Sequence, residues 1–378
     1  MTTQPIVAID LGSTKVACAI GLPFEQSAGF ELLGTSLVAY PAISEGWLGD
    51  PLVVSRTIEQ ALEATAVPGA FDRAVVAISP PTARGELSTA AVSLGDEPIV
   101  VRAQDLERLQ RMALDRVLGV DREPLLVERL ECAGNGFEHV RDPQGLSATR
   151  LLGAFHIVTM PMAARRAVVQ AVEAAGLEVA RLTSTLTASW AGATDETTVR
   201  QRLLLIDVGG LSTTIGLFAD GVLKASAHLD WGGLTLASGI ASALSVTREQ
   251  AAIWTLEGLG CRRAEVQQDV ARAWTRIKET AEQLVRGRPR PDAVLVSGRG
   301  ALLDGFAEWI EQALGLPTTI GRSARLSRLP DLSQQVGLTA AIGLLELMTR
   351  SAARPSLRPT RFVNRLLDRT RSILTEYF

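Results

Sequence analysis

Hydrophobic residues follow two rhythms along this chain. Continuous apolar runs of strand length, such as Val7-Ala-Ile-Asp10-Leu and Leu203-Leu-Leu-Ile-Asp207-Val, predict strands buried on both faces. Other stretches space their apolar residues for helices. Residues 5–21 and roughly 28–41 read as strands, and a Gly-rich turn at 44–50 leads into a helix from about 51 to 66. Residues 73–79 form a further strand. From 80 to 177 the pattern becomes α+β: a strand at 90–94, a helix at 103–118, strands near 125–132 and 151–159, and a helix at 162–175. A hairpin follows at 203–229, then helices at about 247–258 and 262–287 and a strand at 293–297. Gly298-Arg299-Gly300-Ala301 is expected to turn that strand into a helix at 302–314. A core helix is predicted at 334–349, and Pro355 and Pro359 mark an extended linker.

The two apolar runs quoted above are near-copies. Each ends in Asp, turns through Gly and small hydroxyl residues, and leaves as another strand: Asp10-Leu-Gly12-Ser13-Thr14-Lys15 and Asp207-Val-Gly209-Gly210-Leu211-Ser212-Thr213-Thr214. A hairpin tip of this kind exposes backbone N–H groups beside a carboxylate. The amides suit phosphate oxygens and the carboxylate suits a hydrated divalent ion. Two copies imply two related half-structures closing on one nucleotide.

Length and composition narrow the class. The chain has 378 residues, 47% apolar and 21% charged, enough for two or three domains with real cores. Net charge is −3, which argues against nucleic acid as the partner of the whole molecule. Only Lys15, Lys224 and Lys278 are lysines, and Lys15 sits in the first tip, where it would offer a point charge to phosphate. Cys18, Cys132 and Cys261 have no metal or disulfide spacing, which fits a reducing cytoplasm, and no secretory signal is predicted. His156 alternates with apolar residues and reads as structural.

On a helix, Phe362, Val363, Leu366, Leu367, Ile373, Leu374, Tyr377 and Phe378 share an arc of roughly 160°. Arg361, Arg365, Arg369 and Arg371 lie on the opposite side with the other polar residues. Such a segment, set off by a proline linker, suits the surface of an anionic membrane. The alternative is docking on its own domain or in a partner's groove. One tail is a modest anchor, and several on one polymer would bind far more tightly.

Together these segments resemble the actin-type ATPase superfold and, within it, the FtsA family of bacterial cell-division proteins. Asp10-Leu-Gly12-Ser13-Thr14-Lys15-Val16 is close to that family's first phosphate motif. Asp142-Pro143-Gln-Gly145 through His156-Ile157 is similar to part of its inserted subdomain, and Trp231-Gly232-Gly233-Leu-Thr235 to its Pro-Gly-Gly-x-x-Thr turn. Arg276 and Glu279 fit an Arg-x-x-Glu helix, and the tail fits its membrane-targeting sequence. Departures fall at the nucleotide. The family's second tip reads Gly-Gly-Gly-Thr-Thr-Asp, so Leu211 replaces a glycine and Thr214 a carboxylate. Arg299 replaces a glycine in the adenosine-facing turn, and Trp254 or Thr255 stands where a Lys is expected.

The resemblance implies an α/β, actin-like fold of two related domains around a nucleotide cleft, with an inserted α+β subdomain and a C-terminal amphipathic helix. Expected boundaries are 1–80 and 178–202 for the first domain, 81–177 for the insertion, and 203–331 for the second domain, with a helical subdomain at about 236–285. A closing helix at 332–350, a linker at 351–360 and the membrane helix at 361–378 complete the chain. ATP would meet Asp10, Gly12, Ser13, Thr14, Lys15, Asp207, Gly209, Gly210, Ser212, Thr213, Gly298, Arg299 and Gly300, with Mg²⁺ served by Asp10 and Asp207. Arg299 would stack on the adenine or reach a phosphate. The membrane would be met by Phe362, Val363, Arg365, Leu366, Leu367, Arg369, Ile373, Leu374, Tyr377 and Phe378.

The implied function is a scaffold that binds ATP, with weak or absent hydrolysis. It would self-associate into filaments and tether FtsZ, through the C-terminal peptide of FtsZ, to the cytoplasmic face of the inner membrane at the division site, alongside other division proteins. A pilus-assembly scaffold, a small-molecule kinase of the same superfold, and a pseudo-site that has lost its ligand remain the alternatives.

Overall fold

The structure is a computed structural model that describes residues 4–25, 27–40, 48–256 and 264–353. The expected membrane helix, nearly all of the linker before it, and most of the Gly-rich turn at 44–50 lie outside the described residues.

β1 (Ile6–Leu11), β2 (Lys15–Pro23) and β3 (Phe30–Ala39) make an antiparallel meander. α1 (Pro51–Ala64) crosses to β4 (Arg73–Ile78), which lies parallel to β1. Asp50 caps α1 by accepting the Leu52 N–H at 2.9 Å, and Pro51 opens the helix with its φ already set. The insertion follows. It comprises β5 (Arg84–Ser93), β6 (Ile99–Val100), α2 (Ala103–Asp115), β7 (Arg122–Gly134), β8 (Phe137–Val140), β9 (Ser147–Ala148), β10 (Arg150–Pro161) and α3 (Met162–Ala174). Its four-stranded sheet runs β5-β10-β7-β8, and β6 pairs with β9.

The chain returns through β11 (Glu178–Ser184), parallel to β4, into α4 (Thr185–Ala193). A second meander follows: β12 (Leu203–Val208), β13 (Thr213–Ala219) and β14 (Val222–Leu229). Then come α5 (Gly233–Leu244), α6 (Arg248–Leu256), α7 (Ala264–Val285), β15 (Ala293–Ser297), α8 (Phe306–Leu314), β16 (Thr318–Ile320) and α9 (Leu332–Ala353). The two five-stranded sheets run β11-β4-β1-β2-β3 and β16-β15-β12-β13-β14. They are the same arrangement twice, so the repeated sequence at the tips belongs to a repeated topology. β1 and β12 are the central strands, which is why both read as unbroken apolar runs.

The first sheet sorts its side chains by size. Val7, Ile9 and Leu11 face one core, with Val54 and Ile58 of α1 and Val168 of α3, while Ala8, Ala17, Ala19 and Ala77 face another, with α4 and α9. Small residues on that face let α9 return from the second sheet and lie close on the first. Its contact with α4 is backbone to backbone: a Cβ at Gly343 would stand 1.8 Å from the Ala188 carbonyl oxygen. α8 begins at Phe306 and not at 302. Gly298 and Gly305, both at positive φ, bracket a short 3₁₀ turn at Arg299–Leu302, and Leu303 is buried in the second core between that turn and the helix. β5 also starts earlier than expected, in an exposed polar stretch that carries no apolar run.

Candidate nucleotide cleft

The two tips close in the same way. Gly12 N–H donates to the Lys15 carbonyl at 3.0 Å, and Gly209 N–H donates to the Ser212 carbonyl at 2.9 Å. Ser13 therefore corresponds to Gly210, Thr14 to Leu211, and Lys15 to Ser212. The tips also meet each other. A Cβ on Gly210 would lie 2.6 Å from Ser13 Oγ and 2.7 Å from Thr14 Cγ2, so only glycine permits this approach. The first turn of α5 packs behind the second tip, with the Gly233 and Leu234 N–H groups donating to the carbonyls of Gly209 and Gly210 at 3.0 and 2.7 Å.

Between the tips and α9 is a cavity of about 360 Å³, within the range of small-molecule sites. Asp10, Gly12, Ser13, Thr14, Lys15, Asp207, Gly209, Gly210, Ser212, Gly298, Arg299 and Gly300 all line it. Thr213 does not: it is fully buried and donates its hydroxyl to the Trp231 carbonyl at 2.8 Å. Thr255 lines the cavity, as do Glu249, Ala252 and Ile253 of the same helix, and Trp254 does not. Leu211 is outside the lining. Thr214 turns away from the cavity, bonding Ser79 Oγ at 2.9 Å and His228 Nδ1 at 3.1 Å. A carboxylate at 214 would stand against His228 and against Ser79, which itself lines the cavity.

The cleft floor is α4, and the sequence reading missed its role. Thr185 and Ser189, one helical turn apart, each serve one carboxylate: Thr185 Oγ1 donates to Asp10 Oδ1 at 2.9 Å, and Ser189 Oγ donates to Asp207 Oδ2 at 2.9 Å. Ser297, at the end of β15, adds a 2.6 Å bond to the same Asp207 oxygen. A Thr-x-x-x-Ser pair was the available signal. It was hidden because α4 is buried all round and has no amphipathic rhythm. Lys15 is already engaged by groups of the protein. It is ion-paired with Asp10 and donates to the Gly337 carbonyl at 3.0 Å. Asp207, 8% exposed, is pushed toward its neutral form by burial, against the two seryl bonds.

Two further groups face the cavity. Tyr40 lines the cavity, and its buried hydroxyl has no hydrogen-bond partner among the described residues; burial, helped by Asp10, raises its pKa. Arg299 crosses the cleft and donates from Nη2 to Thr14 Oγ1 at 3.0 Å. Burial lowers its pKa without removing its charge. A phosphorylated nucleoside fits these residues: glycine tips, an orphaned hydroxyl and a guanidinium converge on one cavity. A directly coordinated divalent ion fits less well. Among the described residues no trio of acids or other ligands is assembled, and both carboxylates at the floor already accept from side chains. The residues present fit an ion met through its water shell at Asp10 and Asp207, as expected of them, better than one bound directly. The expected membrane-facing residues, Phe362 to Phe378, lie outside the described residues.

Comparison with known proteins agrees with this geometry. The family model for the cell division protein FtsA matches residues 204–343, and that for the SHS2 domain inserted in FtsA matches residues 82–159. The FtsA of Rhizobium meliloti is 25% identical over an alignment covering 90% of this chain and 86% of the relative. That of Borreliella burgdorferi is 24% identical over 91% of each. Among solved structures, a chain of the PilM–PilN type IV pilus biogenesis complex aligns with a TM-score of 0.67 at 15% identity, covering 91% of this chain and 98% of that one. The ethanolamine utilization protein EutJ of Carboxydothermus hydrogenoformans aligns at 0.52 and 14%, covering 90% and 91%. These likenesses are of fold, the actin-like ATPase fold. With that fold, the inserted subdomain and relatives along nine-tenths of its length, the chain belongs to the FtsA family of cell-division proteins.

Proposed function

We propose that the protein is a division scaffold that binds ATP between its two hairpins, self-associates into actin-like filaments, and tethers FtsZ to the cytoplasmic membrane through residues 361–378. The observation that carries the reading is the cleft itself, where two glycine tips meet over a cavity holding an unsatisfied Tyr40 hydroxyl and Arg299. Nucleotide acts as a strut across this cleft and favours the closed form, in which both domains present one rigid surface to the next subunit. The helical part of the second domain, α5 to α7, is where the C-terminal peptide of FtsZ docks. Among the described residues no helix is long and apolar enough to cross a membrane, so attachment falls to the amphipathic tail.

Each Arg of that tail is worth about 1 kcal/mol near an anionic surface, reduced by Asp368 and Glu376, and filament avidity supplies the rest. Co-sedimentation with anionic liposomes and FtsZ polymers tests this. The full chain is expected to carry FtsZ into the liposome pellet, and a chain ending at residue 353 is expected to leave it in solution. Equal recovery of both chains would overturn the tether. The fold-level likeness to the pilus complex keeps one competitor, which normal division with defective pili on depletion would favour.

A further inference from the structure

The charges in the cleft are not equivalent. Lys15 is neutralised by Asp10 and held by the Gly337 carbonyl, so it has no charge to lend without breaking a buried ion pair. Arg299 differs. Of its five N–H donors, one goes to a neutral hydroxyl, Thr14 Oγ1, and among the described residues no carboxylate is ion-paired with it. The nearby carboxylate that acts on it, Asp331, forms no ion pair with it, so a closer anion would be favoured by the partly desolvated guanidinium. The bond to Thr14 places it at the first tip, where the backbone of Gly12 and Ser13 lines the same cavity and the unpartnered Tyr40 hydroxyl lies on the wall. The Tyr40 N–H is itself bonded to the Thr14 carbonyl at 3.1 Å, so hydroxyl, tip and guanidinium are tied together. Asp10, Asp207 and Glu249 line the cavity, but among the described residues no three acids, His or Cys are grouped to hold a divalent ion, and Asp10 and Asp207 already accept from side chains.

We propose that Arg299 supplies, from within the chain, the positive charge that meets the terminal phosphates of a nucleoside di- or triphosphate, so that nucleotide enters this cleft without needing a divalent cation. The inference rests on the reading of the cleft as a nucleotide site. The guanidinium holds Thr14 in the structure. In the bound form its planar fork turns to two phosphate oxygens, a geometry that an ammonium cannot match. Phosphate charge, not the base, is what Arg299 recognises.

The test is titration of the full chain with ATP, ADP and adenosine, once with excess Mg²⁺ and once with excess EDTA. ATP affinity of the wild-type protein is expected to differ by less than about threefold between the two conditions, because the main counter-charge is covalently present. Arg299→Gly is expected to weaken ATP about tenfold or more in EDTA, the loss of one charge-assisted bond, to regain part of it in Mg²⁺, and to leave adenosine unchanged. Arg299→Lys should fall between them. Loss of wild-type ATP binding by about tenfold in EDTA overturns the proposal, and that comparison needs no variant to fold. Equal weakening of adenosine and ATP by Arg299→Gly overturns it in favour of stacking on the base. Absence of ATP binding in both conditions is a different result, since it removes the nucleotide reading itself.

Discussion

Gly343→Ala tests whether the floor of the cleft depends on the crossing of two helices. In α9 the added methyl would sit 1.8 Å from the Ala188 carbonyl oxygen and 2.6 Å from the Gly192 nitrogen, both backbone atoms of α4. Side-chain rotation cannot relieve such a contact. α4 and α9 must part by roughly 1.5 Å, the gap between 1.8 Å and an ordinary 3.4 Å contact. Ordinary overpacking costs about 1–3 kcal/mol, and separation of two buried helices should exceed it, at roughly 3–5 kcal/mol. Alanine's better helix propensity returns only about 1 kcal/mol. The net loss, about 2–4 kcal/mol, corresponds to a fall in Tm of roughly 3–5 °C for a protein of this size.

The consequence extends to the site, because α4 carries Thr185 and Ser189 under the two carboxylates. Calorimetry of the ligand-free chain, followed by ATP titration, measures both effects. Gly239→Ala is the control: it lies in α5 with nothing within 4 Å of the new methyl, and should raise Tm by about 1–2 °C. A Gly343→Ala protein that melts within a degree or two of wild type would falsify the backbone contact between α4 and α9.

Two further predictions concern buried charge. Lys15→Ala leaves Asp10, 3% exposed, with only the Thr185 hydroxyl, and should cost about 3 kcal/mol in urea denaturation, much of it restored by Asp10→Asn in the same chain; no rescue would refute the pairing as the cause. His156, on β10 of the insertion, is held to about 4 by burial and by nearby Arg288, and its Nε2 bonds Ser226 Oγ of β14 at 2.9 Å. Its folded pKa is below its unfolded value, so the unfolded chain binds the extra proton. Stability is complete above about pH 6.5 and is lost as pH falls toward 4. Thermal melts of His156→Gln across that window should show a shallower acid slope than wild type, and parallel slopes would exclude His156 as a contributor.

How much was legible varied with the range of the interaction. Both hairpin tips could be read because their chemistry is local: strand, Asp, Gly and turn follow within a few residues. Secondary structure was readable where one rhythm dominated, as in α1 or β12. The short strands β6, β8 and β9 are too brief to show one, and α4 shows none because every side of it is buried. Thr214 is instructive. Its partners, Ser79 after β4 and His228 on β14, come from other strands and cannot be read beside the tip.

By itself, then, the sequence determined that two related strand–Asp–Gly hairpins exist, that an α+β segment separates them, and that the family is FtsA. The tertiary structure decided what the charged residues near those hairpins do. Lys15 is five residues from Asp10, but its second partner, the Gly337 carbonyl, is 322 residues away. Arg299 reaches Thr14 across 285 residues, and Thr185 reaches Asp10 across 175. A charge is free for a ligand only if no distant group has already claimed it. That depends on which elements pack together, which no local pattern of residues encodes.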